Sequence, residues 1–137
     1  MGYLYEAMAR AKEAIMHYYI DHPDEDNEFG NKHMDFWVLI DERWWNMLYR
    51  PIHGAGAILN PILYFAPNSK YKIDNQANLG LTKCIAGMVH DPTTQSKIFK
   101  ELESYKHSRG LFGYQSAREA RFTIAPGEKT SKFMRYF

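Results

Sequence analysis

"RPIHGAGAILNPILYF", residues 50 to 65, is the stretch whose reading decides the fold. Pro51 suits the first turn of a helix, where the amide that proline lacks would have no partner. Gly54, Ala55, Gly56 and Ala57 then offer a surface on which another backbone can come close. Asn60-Pro61 should stop the helix at Leu59, because the residue before a proline is steered out of the α region. His53 sits among these small residues and has two readings, a ligand-binding or reactive group on a glycine-rich loop, or a polar filler between packed helices. Glycine amides at a helix start can cradle an anion, yet the segment matches neither of the common glycine-rich phosphate patterns, and no strand precedes it. Helix packing is the better reading.

Working outward, residues 35 to 49 predict a helix with Phe36, Leu39, Ile40, Trp44, Met47 and Leu48 on one side, ended or kinked by Pro51. Residues 3 to 20 predict an amphipathic helix with Leu4, Ala7, Met8, Ala11, Ile15, Tyr18 and Tyr19 at spacings of three and four, and a supporting Glu6/Arg10 pair. "DHPDEDNEFGNKH" (21 to 33) and "APNSKYKIDNQ" (66 to 76) read as loops. A short helix follows over 77 to 89. Asp91-Pro92 then starts another helix, with the aspartate as its cap and the proline in its first turn. That helix should close near Arg109-Gly110, where glycine can take the left-handed cap conformation. A last short helix is expected around Ala117 to Arg121. No segment alternates with period two, so the expectation is an all-α fold of five to six helices in an irregular bundle. Residues 1 to 122 form the predicted single domain, and 123 to 137 a divergent, weakly ordered tail.

A sequence of 137 residues can bury a real core, roughly two thirds of its unfolded surface at this size. With 45% hydrophobic and 24% charged residues it resembles a globular protein, and the formal charge of +1 supplies no global attraction for nucleic acid or an anionic membrane. The single cysteine, Cys84, excludes an internal disulfide and any multi-cysteine zinc site, which fits a reducing intracellular compartment. The opening residues have no signal-peptide layout, and no apolar run approaches the ~20 residues of a membrane span.

The candidate sites are weak on chemistry alone. Asp24, Asp26 and Glu28 alternate as calcium ligands do, but Phe29 stands where the loop needs glycine and Asp35 where it needs a bidentate glutamate. Six histidines, His17, His22, His33, His53, His90 and His107, include no pair at the helical ligand spacing of three or four. Cys84 and His90 point to different faces of one helix, so they make a poor nucleophile and base. Lys70, Tyr71 and Lys72, with Lys106, Arg109, Arg118 and Arg121, are candidate contacts to a nucleic-acid backbone, with tyrosines available for base stacking. No metal, cofactor or small-molecule substrate is expected.

An ordered series of motifs resembles plant transposases of the hAT (hobo and Activator) superfamily. It comprises Trp37, Ile40-Asp41, Arg43-Trp44, Arg50-Pro51-Ile52-His53, Ala55-Gly56, Leu59-Asn60-Pro61, Gly80-Leu81, Cys84-Ile85, Tyr105 and Gly110-Leu111-Phe112-Gly113, and the opening "GYLYEAMARAKEAI" is similar too. The resemblance covers roughly residues 2 to 120. It implies the all-helical insertion of an RNase H-like catalytic domain, with the family's three metal-binding carboxylates lying before Met1 and beyond Phe137. No catalytic residue therefore has a matching position here. Where the family continues into a tryptophan-rich helix, this sequence has Pro126-Gly127-Glu128 and "KTSKFMRYF". The implied function is that of a truncated or domesticated transposase fragment with no transposition activity of its own. The alternatives are a helical module that binds protein, a further copy of itself included, through an exposed apolar face on which Trp44, Trp45, Tyr49 and Tyr64 are the suspected aromatics, and a weak DNA-backbone binder. A nuclear location follows if the protein behaves as its parent family does, a cytoplasmic one otherwise.

Overall fold

The computed structural model describes residues 2–21, 32–72 and 74–124. Among them seven α-helices and no strand are found: α1 (Gly2–Asp21), α2 (Lys32–Arg43), α3 (Pro51–Leu59), α4 (Pro61–Tyr64), α5 (Asn75–Met88), α6 (Pro92–Lys106) and α7 (Gln115–Thr123). A π-helical turn, Trp44–Leu48, continues α2, and a 3-10 turn, Gly110–Gly113, joins α6 to α7. The fold is all-α, with one helix more than the upper expectation. The acidic loop read for calcium, His22, and the tail from residue 125 onward lie outside the described residues.

Helix α3 is the centre, sandwiched between α1 and α5. Its small residues face both neighbours, because positions two apart on a helix lie about 200° around the axis. On one side a Cβ at Gly54 would sit 2.8 Å from Ala77 Cα, and one at Gly80 2.7 Å from the Pro51 carbonyl oxygen. On the other side a Cβ at Gly2 would fall 2.3 Å from the Gly56 carbonyl oxygen. Ala57, Ile58 and Ala77 are fully buried at this double contact, with Leu81 and Ile85 extending it along α5.

Asn60-Pro61 does more than stop α3. The Asn60 side chain accepts from the Ile62 amide at 3.1 Å and so caps α4, as Asp91 caps α6 by accepting from Thr93 and Thr94. Diverting the Ile62 amide leaves the Ile58 carbonyl without its helical donor, and the Tyr105 hydroxyl of α6 supplies one at 2.9 Å. That bond ties α6 to the end of α3, and the Tyr105 ring packs beside Tyr64, Phe65 and Phe112.

Three expectations are corrected. Helix α6 closes at Lys106, earlier than expected, and Ser108, not glycine, takes the left-handed conformation after it (φ 53°). Ser108 and Arg109 amides return to Tyr105 and Ser104, the Schellman pattern. Gly110 also has positive φ, but in the 3-10 turn beyond. On α1 the core-facing side is Gly2 and Tyr5 with Met8 and Ile15, whereas Leu4, Ala7, Ala11 and Tyr18 of the expected stripe are exposed. On α2 and its π turn, Ile40 and Trp44 turn inward while Phe36, Leu39, Met47 and Leu48 face out.

Gly54→Ala forces backbone apart and is expected to cost about 1–3 kcal/mol in urea unfolding. Gly87→Ala, where a Cβ meets nothing within 4 Å, should instead stabilise by roughly 0.5 kcal/mol. At the α6 cap, Ser108→Gly should be more stable than Ser108→Ala by about 1 kcal/mol, because both lose the hydroxyl but only alanine keeps the left-handed strain.

Candidate functional site

The motif residues converge on a cluster at the head of α3. Trp44 from the π turn is 3% exposed and stacks on His53, centroids 5.9 Å apart and planes at 23°. Tyr49 sets its edge against Trp45 at 4.8 Å and lies 6.2 Å from His53. Tyr5 reaches in from α1, within 6.2 Å of Trp44 and 6.0 Å of both Tyr49 and Tyr71. The π turn makes this possible: its wider hydrogen bond, Tyr49 N–H to the Trp44 carbonyl at 2.7 Å, takes in one extra residue before the extended Tyr49-Arg50 pair.

The tyrosine hydroxyls and one imidazole nitrogen find protein partners. Tyr5 donates to Asp74 at 2.9 Å, and Asp74 in turn caps α5 through the Ala77 amide at 3.0 Å. Burial, reinforced by that carboxylate, holds the Tyr5 phenol well above the usual tyrosine range, so it stays a donor. Tyr49 donates to the Gln76 carbonyl, and Tyr71, 2% exposed, to Glu6. His53, 7% exposed, accepts the Arg50 amide on Nδ1 at 3.1 Å while its own amide donates to the Arg50 carbonyl at 2.9 Å. An imidazole used in this way must keep Nδ1 unprotonated. Burial agrees, since it lowers the proton affinity of the ring.

The other signature residues are structural in the same sense. Trp37 lies under Lys12 at 4.9 Å, and Lys12 pairs with Asp41, which pins α1 to α2. Arg43 is exposed at the end of α2. Arg50 returns a guanidinium bond to the Tyr49 carbonyl at 2.9 Å, and Pro51 and Pro61 occupy first turns. Gly113 approaches the Ser108 carbonyl so closely that a Cβ would meet it at 2.5 Å. The Phe112 carbonyl accepts from Arg121.

The candidate nucleic-acid contacts are not brought together as one free patch. Lys70 pairs with Glu13 at 2.6 Å, Tyr71 is buried, and Lys106 donates to Asn78 at 2.9 Å. Arg121 is spent on Ser108, Phe112 and the Phe65 ring, 3.7 Å away. Lys72, Arg109 and Arg118 are exposed. Among the described residues no group of three His, Cys, Asp or Glu residues could hold a metal ion, and Cys84 packs half-buried against the core while His90 lies beyond the end of α5. Tyr5 and Asp74 escaped the sequence reading, and of the aromatics expected on an exposed face only Trp45 is exposed, whereas Trp44 and Tyr64 are buried and Tyr49 packs half-buried against the core. Asp74 ahead of the α5 apolar run was the one readable signal, as a cap.

His53→Leu should cost about 1–3 kcal/mol, because the Arg50 amide loses its acceptor. The pH dependence has a definite sign: the folded imidazole binds a proton less readily than the unfolded one at about 6.5, so its contribution is complete at higher pH and is lost as pH falls. Wild type should therefore lose stability relative to His53→Gln, which keeps an acceptor that does not titrate, between about pH 7.5 and 5 in urea melts. A pH-independent difference between the two would rule this role out. Compared with protein-family models, with curated proteins and with solved structures, the sequence and its fold find no match.

Proposed function

We propose that the protein is a non-catalytic helical module of the hAT-transposase insertion type, built to dock through one apolar side rather than to cut or join DNA. The motif series of residues 37 to 113 supports the family part. Apart from the exposed Arg43, Leu59, Gly110 and Leu111, most signature residues serve the packing of the module, as expected of an insertion that scaffolds a site carried elsewhere. The observation that carries docking is the apolar surface left uncovered around α2 and its π turn, with Phe36, Val38, Leu39, Trp45, Met47 and Leu48 exposed and Met47 at 67%. Exposed apolar surface of this kind marks interaction sites. In the parent family the occupant would be the RNase H-like domain, and a nuclear location would follow. Among the described residues no helix is long and apolar enough to cross a membrane.

Two measurements test this. The purified protein should neither nick nor join transposon-end DNA with a divalent metal, and such activity would overturn the non-catalytic reading. It should bind a hydrophobic dye or self-associate in sedimentation, and the Leu39→Ser/Met47→Ser pair should reduce both with a stability change within about 0.5 kcal/mol, as for surface positions. A compact monomer that binds no dye would sink the docking face.

A further inference from the structure

We propose that the cleft between α1 and the α4–α5 loop is a binding site for a carboxylate carried on an apolar body. The cleft, about 470 Å³, has an apolar floor of Ile62, Leu63, Ala66 and Pro67. Its charged wall is the α1 stripe Glu6, Arg10 and Glu13, facing Ser69, Lys70 and Tyr71. The charges sum to zero, but they are not equally committed. Glu6 already accepts from both Arg10 Nε, at 2.7 Å, and the Tyr71 hydroxyl, so its two oxygens are engaged.

Arg10 gives Glu6 only its Nε, and its side chain is largely exposed, which leaves the Nη edge of the guanidinium facing solvent at the mouth. That edge fits a carboxylate in two parallel bonds. Lys70 meets Glu13 in a half-exposed pair, an arrangement that contributes little and is easily exchanged for another carboxylate. The Ser69 hydroxyl, which has no hydrogen-bond partner among the described residues, is shielded from water and so is closed to a ligand in the cleft as it stands. The uncommitted Arg10 edge and the exchangeable Lys70 therefore offer a carboxylate two cationic partners beside an apolar floor, which selects an amphipathic anion over a cation. This cleft shares only Tyr71 with the aromatic cluster and does not use the exposed apolar surface of α2, so the proposal stands apart from the docking function.

The test is calorimetric titration of the full-length protein with octanoate, with an N-acetylated apolar dipeptide ending in a free carboxylate, and with the same dipeptide amidated. Saturable one-to-one binding of an acid, and none of the amide, is expected. Tighter binding of octanoate would identify a free aliphatic acid as the ligand, and tighter binding of the dipeptide a polypeptide C-terminus. Arg10→Gln should weaken binding about tenfold or more, the loss of a bidentate charge-assisted contact. Glu13→Gln should strengthen it, since it removes the competitor for Lys70. Both positions are on the α1 surface, and unchanged thermal melts would confirm that the variants fold. No saturable binding of either acid, equal binding of the amide, or affinity indifferent to both substitutions would overturn the proposal.

Discussion

The close approach of three helix backbones at α3 is the constraint on which everything else depends. Gly54 and Gly80 on one side, and Gly2 against Gly56 on the other, let backbone meet backbone where any larger residue would intrude. Such contacts gain dispersion from many atoms at once and bury Ile58 and Ala77 fully, but they tolerate no added volume. They also fix where the ends of α3 lie. Its start then receives the aromatic cluster, and its end receives the Tyr105 hydroxyl.

Polar groups hold what the small residues bring together. Arg121 shows the economy of this arrangement, since one guanidinium serves Ser108, the Phe112 carbonyl and the Phe65 face. It thereby joins α7, the 3-10 turn and the end of α4. The same demand runs through the cluster of tyrosines and histidine at the head of α3. The hydroxyls of Tyr5, Tyr49 and Tyr71 donate to Asp74, the Gln76 carbonyl and Glu6, and His53 Nδ1 accepts from Arg50. A group held in this way orders the fold.

Much of this was legible in the sequence, for reasons that are local. Proline at 51 and 92, the aspartate cap at 91 and the small-residue run at 54 to 57 act through the nearest helical turn, so the helices and the packing role of His53 could be read directly. The 3.6-residue period failed on α1 and α2 because it finds an apolar stripe without saying which way it faces. Leu4 and Met47 belong to such stripes yet lie outside, while Tyr5, beside a stripe, is inside. Nor could the period foresee a π turn, which breaks it. Partners such as Tyr5 with Asp74, or Lys70 with Glu13, are 57 or more residues apart in sequence and appear only once α3 has been placed. The basic residues looked like a patch in one dimension, and folding paired or buried several of them.

The π turn at Trp44–Leu48 bears on how the protein can vary in length. A π turn is an α-helix that has absorbed a single additional residue, and its geometry rotates whatever follows by about 100° relative to the helix before it. Loss of one residue there would leave the remaining residues unaltered in their chemistry and the helix better hydrogen-bonded, yet would swing Tyr49 away from Gly54 and Gly80. Reading frame aside, this short segment is therefore the place where the number of residues matters more than their identity.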